Sequence, residues 1–273
     1  MKIVALAKTN DLIKDLNHML KSNKTPNQTI VDDLFALSVV LNEDLIIEQF
    51  FFCNDFSYRE EANDIKEKLI QKAKNVYSVS TKTMDSLIQK ENAIKMIAVV
   101  NLPITNYDEL KNKDFILVVD KIELPGNLGT IFRTMDAVGG DAIISVDPFT
   151  KLNNPKLVHA SRGMNLAIPQ LEDTYENVLA FLQKEGYTIY LGEPLLGRSY
   201  DKLDYSGKIA IIVGSERYGI NPDWYNHPHE KVFIPMYGQM TSLNVGVAAS
   251  ILLYEAKLKK LAKWPTFIFL IIT

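Results

Sequence analysis

Residues Phe115–Asp120 read FILVVD, five apolar side chains in a row closed by an acid. A strand that is apolar on both faces needs cover on both faces, the situation of a parallel sheet flanked by helices. The next residues fit that role. Glu123-Leu124-Pro125-Gly126-Asn127 reads as a loop. Leu128, Ile131, Phe132, Met135 and Val138 then recur at helical spacing, which predicts a helix over Leu128–Val138. Asn127 is its expected N-cap and Gly139-Gly140 its stop. Ala142–Val146 is the next strand. A strand, helix and strand in this order form a βαβ unit, so the two strands run parallel.

The same alternation continues to the end of the chain. A helix is expected at Asp173–Lys184, closed by Gly186, and a strand at Thr188–Leu191. Ile209–Val213 (IAIIV) is a second buried strand, ending at Gly214. Val232–Ile234 is a third, stopped by Pro235, which has no N–H to donate. The last helix, Leu243–Leu261, carries apolar residues nearly all round, as a core helix does. Taken alone, Thr241 or Ser242 at its mouth reads as an ordinary N-cap. These elements predict an open sheet of about five strands.

The first half is a smaller α/β unit. Helices are expected at Asn10–Lys21, Val31–Leu41, Glu60–Lys74 and Lys82–Lys90, and strands at Ile46–Cys53, Val76–Val79 and Ile97–Val100. Leu102–Lys113 (LPITNYDELKNK) has the composition of a linker. The expected division is 1–105, a linker at 106–113, a second domain at 114–263 and an apolar tail at 264–273. Phe267–Ile272 (FIFLII) is too short to span a bilayer.

Composition excludes other classes. The chain has 273 residues, 47% of them hydrophobic, enough for one large core or two smaller ones. The single cysteine, Cys53, cannot pair internally and suits a reducing compartment. Met1–Asn10 has one short apolar run and no signal-peptide h-region, so a cytoplasmic location is expected and no membrane is. A formal net charge of −3 argues against broad non-specific nucleic-acid binding but leaves room for a local basic patch.

The ends of three apolar strands carry the residues with chemistry in them. The first is followed by Pro125-Gly126-Asn127-Leu128-Gly129-Thr130, with Arg133 farther along the helix on one face with Gly129 and Asp136. The second is followed by Gly214-Ser215-Glu216-Arg217-Tyr218-Gly219. The third is followed by Pro235, Met236 and Gly238, then Ser242-Leu243-Asn244. Ligands of open α/β sheets bind at the carboxyl ends of strands, and glycines there let a ligand approach the backbone. Each loop alone is no more than a tight turn. Gly126-x-x-Gly129 is not a dinucleotide-binding fingerprint, and no P-loop is present. No Cys/His cluster reads as a metal site; His227-Pro228-His229 fits a polar surface loop, and His18 and His159 are isolated.

Together the three loops resemble the motifs of the SpoU/TrmH family of RNA ribose 2′-O-methyltransferases, in the SPOUT class. The first is Asn127-Leu128-Gly129-Thr130-Ile131-Phe132-Arg133-Thr134 with Gly139. The second is Val213-Gly214-Ser215-Glu216 with Gly219. The third runs from Ile234-Pro235-Met236 through Gly238 to Ser242-Leu243-Asn244-Val245. They stand in the family's order within Phe115–Lys260. Ala160-Ser161-Arg162-Gly163 is similar to a segment many members carry between the first two. Gly246 departs from the usual serine. The N-terminal half resembles, more loosely, the family's small RNA-binding domain, with Val31-Asp32-Asp33-Leu34 lacking the usual glycine at a helix start.

The resemblance implies a parallel-sheet domain with a trefoil knot, S-adenosylmethionine as cofactor, a homodimer, and RNA as partner, ribosomal RNA before transfer RNA. It implies Arg133, Asn127, Glu216, Ser242 and Asn244 as catalytic residues. Gly214, Ile234, Met236, Gly238, Ser242 and Leu243 would surround the cofactor. The alternative from another class is a non-catalytic RNA-binding or assembly protein that keeps the fold.

Overall fold

The computed structural model describes residues 2–21, 25, 27–88 and 93–262. The expected tail at 264–273 and the end of the helix expected at Lys82–Lys90 lie outside the described residues.

The chain divides into two compact units, and neither is a single stretch of sequence. One comprises Met1–Ile104, Leu124–Arg133 and Thr150–Pro169; the other comprises Thr105–Glu123, Thr134–Phe149 and Gln170–Thr273.

The first unit contains β1 (Ile3–Ala5), α1 (Asp11–Lys21), β2 (Gln28–Val31), α2 (Leu34–Asn42), β3 (Ile47–Cys53), α3 (Glu60–Lys72), β4 (Asn75–Val79), α4 (Thr81–Leu87) and β5 (Met96–Asn101). The sheet order is β1-β4-β3-β5-β2, with β5 antiparallel to both its neighbours. Its core on one side joins Ile13 and Leu16 of α1 to Phe51, Ile97 and Val99 of the sheet. The helix expected at Val31–Leu41 starts later, because Val31 ends a strand paired with β5. The Asp33 side chain then accepts from Ala36 N at 3.1 Å and caps α2.

The expected linker region holds a short helix, α5 (Tyr107–Leu110), whose Leu110 is buried. Then come β6 (Phe115–Asp120), α6 (Pro125–Ala137), β7 (Ala142–Val146), α7 (Pro155–Ser161), β8 (Gln170–Asp173), α8 (Tyr175–Lys184), β9 (Thr188–Glu193), β10 (Arg198–Ser199), β11 (Ile209–Gly214), β12 (Glu230–Phe233) and α9 (Val245–Ala262). The second sheet has seven strands, not five, in the order β10-β12-β9-β11-β6-β7-β8, and every pairing is parallel. The two extra strands, β8 and β10, stand at its edges. All six residues of β6 are buried, as their unbroken apolar pattern requires. Ile116, Val118, Ile144, Ile212 and Leu191 join Val178 and Leu182 of α8 in one core.

Two helix starts that carry expected site residues differ from expectation. α6 begins at Pro125, three residues early, because proline is preorganised for the first helical position and has no N–H to leave unsatisfied. Asn127 therefore lies inside the first turn and is not the N-cap. α9 begins at Val245, so Thr241 and Ser242 precede it and cap nothing.

Candidate active site

Because the second sheet is parallel throughout, the carboxyl ends of β9, β11 and β12 lie along one edge. A cavity of about 570 Å³ opens there. Gly192, Glu193 and Pro194 line it at the end of β9, and Gly214, Ser215 and Glu216 at the end of β11. Ile234 and Met236 follow β12, and Thr241, Ser242, Leu243, Val245 and Leu252 come from the start of α9 and the loop before it.

The β11 loop is built to a definite shape. Ser215 N donates to Gly219 O at 3.1 Å, and Gly219 N donates back to Ser215 O at 2.9 Å. Tyr218 N donates to Ser215 Oγ at 2.9 Å. Gly219 has φ +70°, a conformation that favours glycine. A Cβ on Gly214 would lie 2.1 Å from Gly219 C and 2.3 Å from Ile220 N. This glycine is demanded by the closure of its own loop, rather than by the approach of a ligand.

That loop is tied to α9 through two of the expected site residues. Asn244 Nδ2 donates to Glu216 Oε1 at 2.7 Å, and Val245 N donates to the same oxygen at 3.3 Å. Asn244 Oδ1 accepts from Gly246 N at 3.0 Å and Val247 N at 3.4 Å, which makes Asn244 the N-cap of α9. A carboxylate at a helix N-terminus also meets the favourable end of the helix dipole.

Six expected residues thus share the cavity wall: Gly214, Glu216, Ile234, Met236, Ser242 and Leu243. Asn244 braces the wall through Glu216. Gly238 is exposed and does not line the cavity. Asn127 and Arg133 lie on α6, in the portion belonging to the other unit. Arg133 is exposed, and its guanidinium makes no ion pair among the described residues. Gly129 does not share its exposure: it is buried against α7.

The sequence reading overlooked the β9 end and Tyr225, which also lines the cavity. The signal was present in Leu191-Gly192-Glu193-Pro194, another strand stopped by glycine and proline. Tyr225 donates a hydrogen bond to Glu193, and burial together with that neighbouring carboxylate pushes the pKa of its phenol upward. His229 stacks edge-on against Tyr225 with ring centres 5.6 Å apart. Among the described residues no group of three His, Cys, Asp or Glu side chains is placed to hold a metal ion.

Residues 114–254, which include β6, β11, β12 and this cavity, match the model of the SpoU rRNA Methylase family. The chain belongs to that family. RlmP of Bacillus subtilis (strain 168), a 23S rRNA (guanosine(2553)-2′-O)-methyltransferase, is 30% identical over 181 residues, 66% of this chain and 72% of that protein. The tRNA (guanosine(18)-2′-O)-methyltransferase of Thermus thermophilus is 30% identical over 159 residues, 55% of this chain and 78% of that protein. An AdoMet-bound rRNA methyltransferase from Sinorhizobium meliloti shares the fold, with a TM-score of 0.83 over 94% of this chain and 98% of that one at 23% identity. The SpoU-family cavity suits S-adenosylmethionine in size and character. Its volume falls in the range of small-ligand sites, about 300–1,000 Å³. Val213, Ile234, Leu243 and Leu252 give an apolar lining, with the backbone of two strand ends and Glu193, Glu216 and Ser242 as polar groups.

Proposed function

We propose that this chain transfers the methyl group of S-adenosylmethionine to a ribose 2′-hydroxyl of RNA in the cytoplasm, with ribosomal RNA as substrate before transfer RNA. The observation that carries the reading is the cavity walled by Gly214, Ile234, Met236, Ser242 and Leu243 and latched by Glu216 and Asn244. Ribosomal RNA comes first because the relative matched over more of the chain, RlmP, acts on it.

When bound, the cofactor supplies a methyl group on a positively charged sulfur, which a hydroxyl oxygen can attack. The chain must hold the RNA, strip or share the hydroxyl proton and align the oxygen. Alignment alone supplies about 7–11 kcal/mol in favourable cases. Arg133 is exposed and has no carboxylate partner among the described residues, so its guanidinium can take a phosphate beside the target ribose. Arginine stays charged in proteins and is a poor base. It therefore orients the hydroxyl and lets the neighbouring phosphate share the proton. Asn127, earlier on α6, positions the substrate or this arginine. Glu216 and Asn244 hold the β11 loop against α9, and Ser242 orients RNA at the mouth. Gly238 belongs to the exposed loop before Ser242.

The homodimer and the trefoil knot are part of this proposal. Val247, Tyr254, Leu258 and Leu261 leave an exposed apolar stripe on α9, which supports a second copy as its cover. After β12, which lies outside β9, the chain comes back to place Leu252 near Gly192 and Val213, a return that a threaded path would make.

The test is methyl transfer from labelled S-adenosylmethionine to total RNA, read by nucleoside mass spectrometry. The expected product is a 2′-O-methylated nucleoside, lost in Arg133→Ala while cofactor affinity stays nearly unchanged. Wild-type turnover in Arg133→Ala would end the assignment of that residue. Absence of both transfer and cofactor binding in the wild type would leave a non-catalytic RNA-binding protein.

A further inference from the structure

Only five of the 30 basic residues are arginines. One of them, Arg162, is held in a costly backbone conformation, with φ 54° and ψ 35°, immediately after α7. Its guanidinium carbon stands 4.9 Å from the centre of the Phe35 ring on α2, and it makes no ion pair among the described residues. Phe35 is 47% exposed. An arginine laid on a half-exposed aromatic ring, away from any carboxylate partner, presents a flat cationic surface.

The pair is set by the backbone beneath it. Gly163 has φ +85°, and a Cβ there would lie 2.8 Å from Ala36 Cα and 2.9 Å from Ala36 Cβ. Residues 162–163 are thus seated directly against residues 35–36. Asp33, the carboxylate nearest in sequence to Phe35, is occupied in capping α2. The same segment also meets the helix that carries Arg133. Gly129, one turn before Arg133, packs where a Cβ would be 2.5 Å from Ala160 Cβ and 2.8 Å from Ser161 N. Arg162 is the next residue after that contact.

We propose that Phe35 and Arg162 form a stacking platform for an unpaired RNA base close to the nucleotide being methylated. The aromatic ring and guanidinium plane take the base face, and the outer N–H groups of Arg162 take its phosphate. This inference rests on RNA being the substrate, and its test separates the two.

Trp at position 35 gives a direct probe. Phe35→Trp in the full chain is titrated with single-stranded oligouridine and oligoadenosine of about twelve nucleotides, and with a duplex of equal length. The single strands should quench the new emission and the duplex should not. In parallel, Phe35→Ala and Arg162→Ala should each raise the KM for RNA about tenfold, the loss of roughly one base stack. Their kcat and S-adenosylmethionine affinity should stay at the wild-type values. Arg162→Lys, which keeps charge but not the plane, should recover only part of the loss, and Phe35→Trp all of it. An active wild type whose Phe35→Ala and Arg162→Ala variants keep the wild-type KM would overturn the platform and leave the methyltransferase reading intact. Quenching that follows the duplex as strongly as the single strands would overturn it as well. If the wild type transfers no methyl group, the quenching titration still decides the platform on its own.

Discussion

Gly129 is seated against the backbone of α7, with Ala160 C 2.6 Å from where a Cβ would be. Alanine would gain up to about 1 kcal/mol in helix propensity. Here the clash involves main-chain atoms that cannot step aside, and overpacking costs about 1–3 kcal/mol. Gly129→Ala should therefore lower the melting temperature by a few degrees in a thermal scan; a rise would show that α7 yields freely. Asp120 gives a prediction of a different kind. It is fully buried, and its Oδ2 accepts from Asn221 N at 2.8 Å and Trp224 Nε1 at 3.1 Å. Its Oδ1 has no hydrogen-bond partner among the described residues. Burial raises its pKa above the ordinary carboxylate value. The folded state thus holds the proton to higher pH than the unfolded chain, and stability falls as pH rises from the ordinary value through the raised one. Asp120→Asn keeps one acceptor and cannot ionise. The urea midpoint of the wild type should fall with pH relative to that of the variant across that window; parallel slopes would refute the account. At this scale the sequence singled out Gly129 by its place in a loop motif and could not show what it touches. Gly129 looked like part of a polar face with Arg133, because nothing local reveals that a helix from farther along the chain lies against it.

At the scale of the element, the start of α9 combines a structural cap with the cavity wall. Asn244→Ala removes the acceptor for two helix N–H groups and the link to Glu216, and should cost about 1 kcal/mol of stability. Asn244→Asp keeps a good capping oxygen but sets a second carboxylate against Glu216. It should lose little melting temperature and more cofactor affinity, measured by calorimetry. Wild-type cofactor affinity in both variants, each of which lacks the Nδ2 donor to Glu216, would mean that the link has no bearing on the cavity. The long apolar elements were legible because burial on both faces leaves an unmistakable pattern, as in Phe115–Asp120 and Ile209–Gly214. β8 and β10 were not. They are short edge strands reading QLED and RS, without an apolar run to betray them. The strand Gln28–Val31 was hidden for a similar reason: its last residue flows directly into a capped helix.

At the scale of the whole molecule, the alternation of strands and helices was enough to predict a parallel sheet. It could not reveal that Leu124–Arg133 and Thr150–Pro169 leave the sheet domain's unit for the other one, since chain order does not encode which compact unit a loop joins. The α9 stripe makes a prediction here. Val247, Tyr254, Leu258 and Leu261 are 43–51% exposed and fall on one side of a helix. Light scattering should give twice the 30.9 kDa chain mass, and Leu258→Glu should shift it toward the single chain. A wild-type mass of one chain would remove the homodimer from the proposal.

The hydrogen bond between Trp224 and Asp120 has a practical consequence. Trp224 is 1% exposed, and Tyr225 beside it lines the cavity. An indole so sheltered and so close to the ligand wall is a built-in fluorophore. Its emission should shift when S-adenosylmethionine enters, which turns an unlabelled chain into its own binding assay.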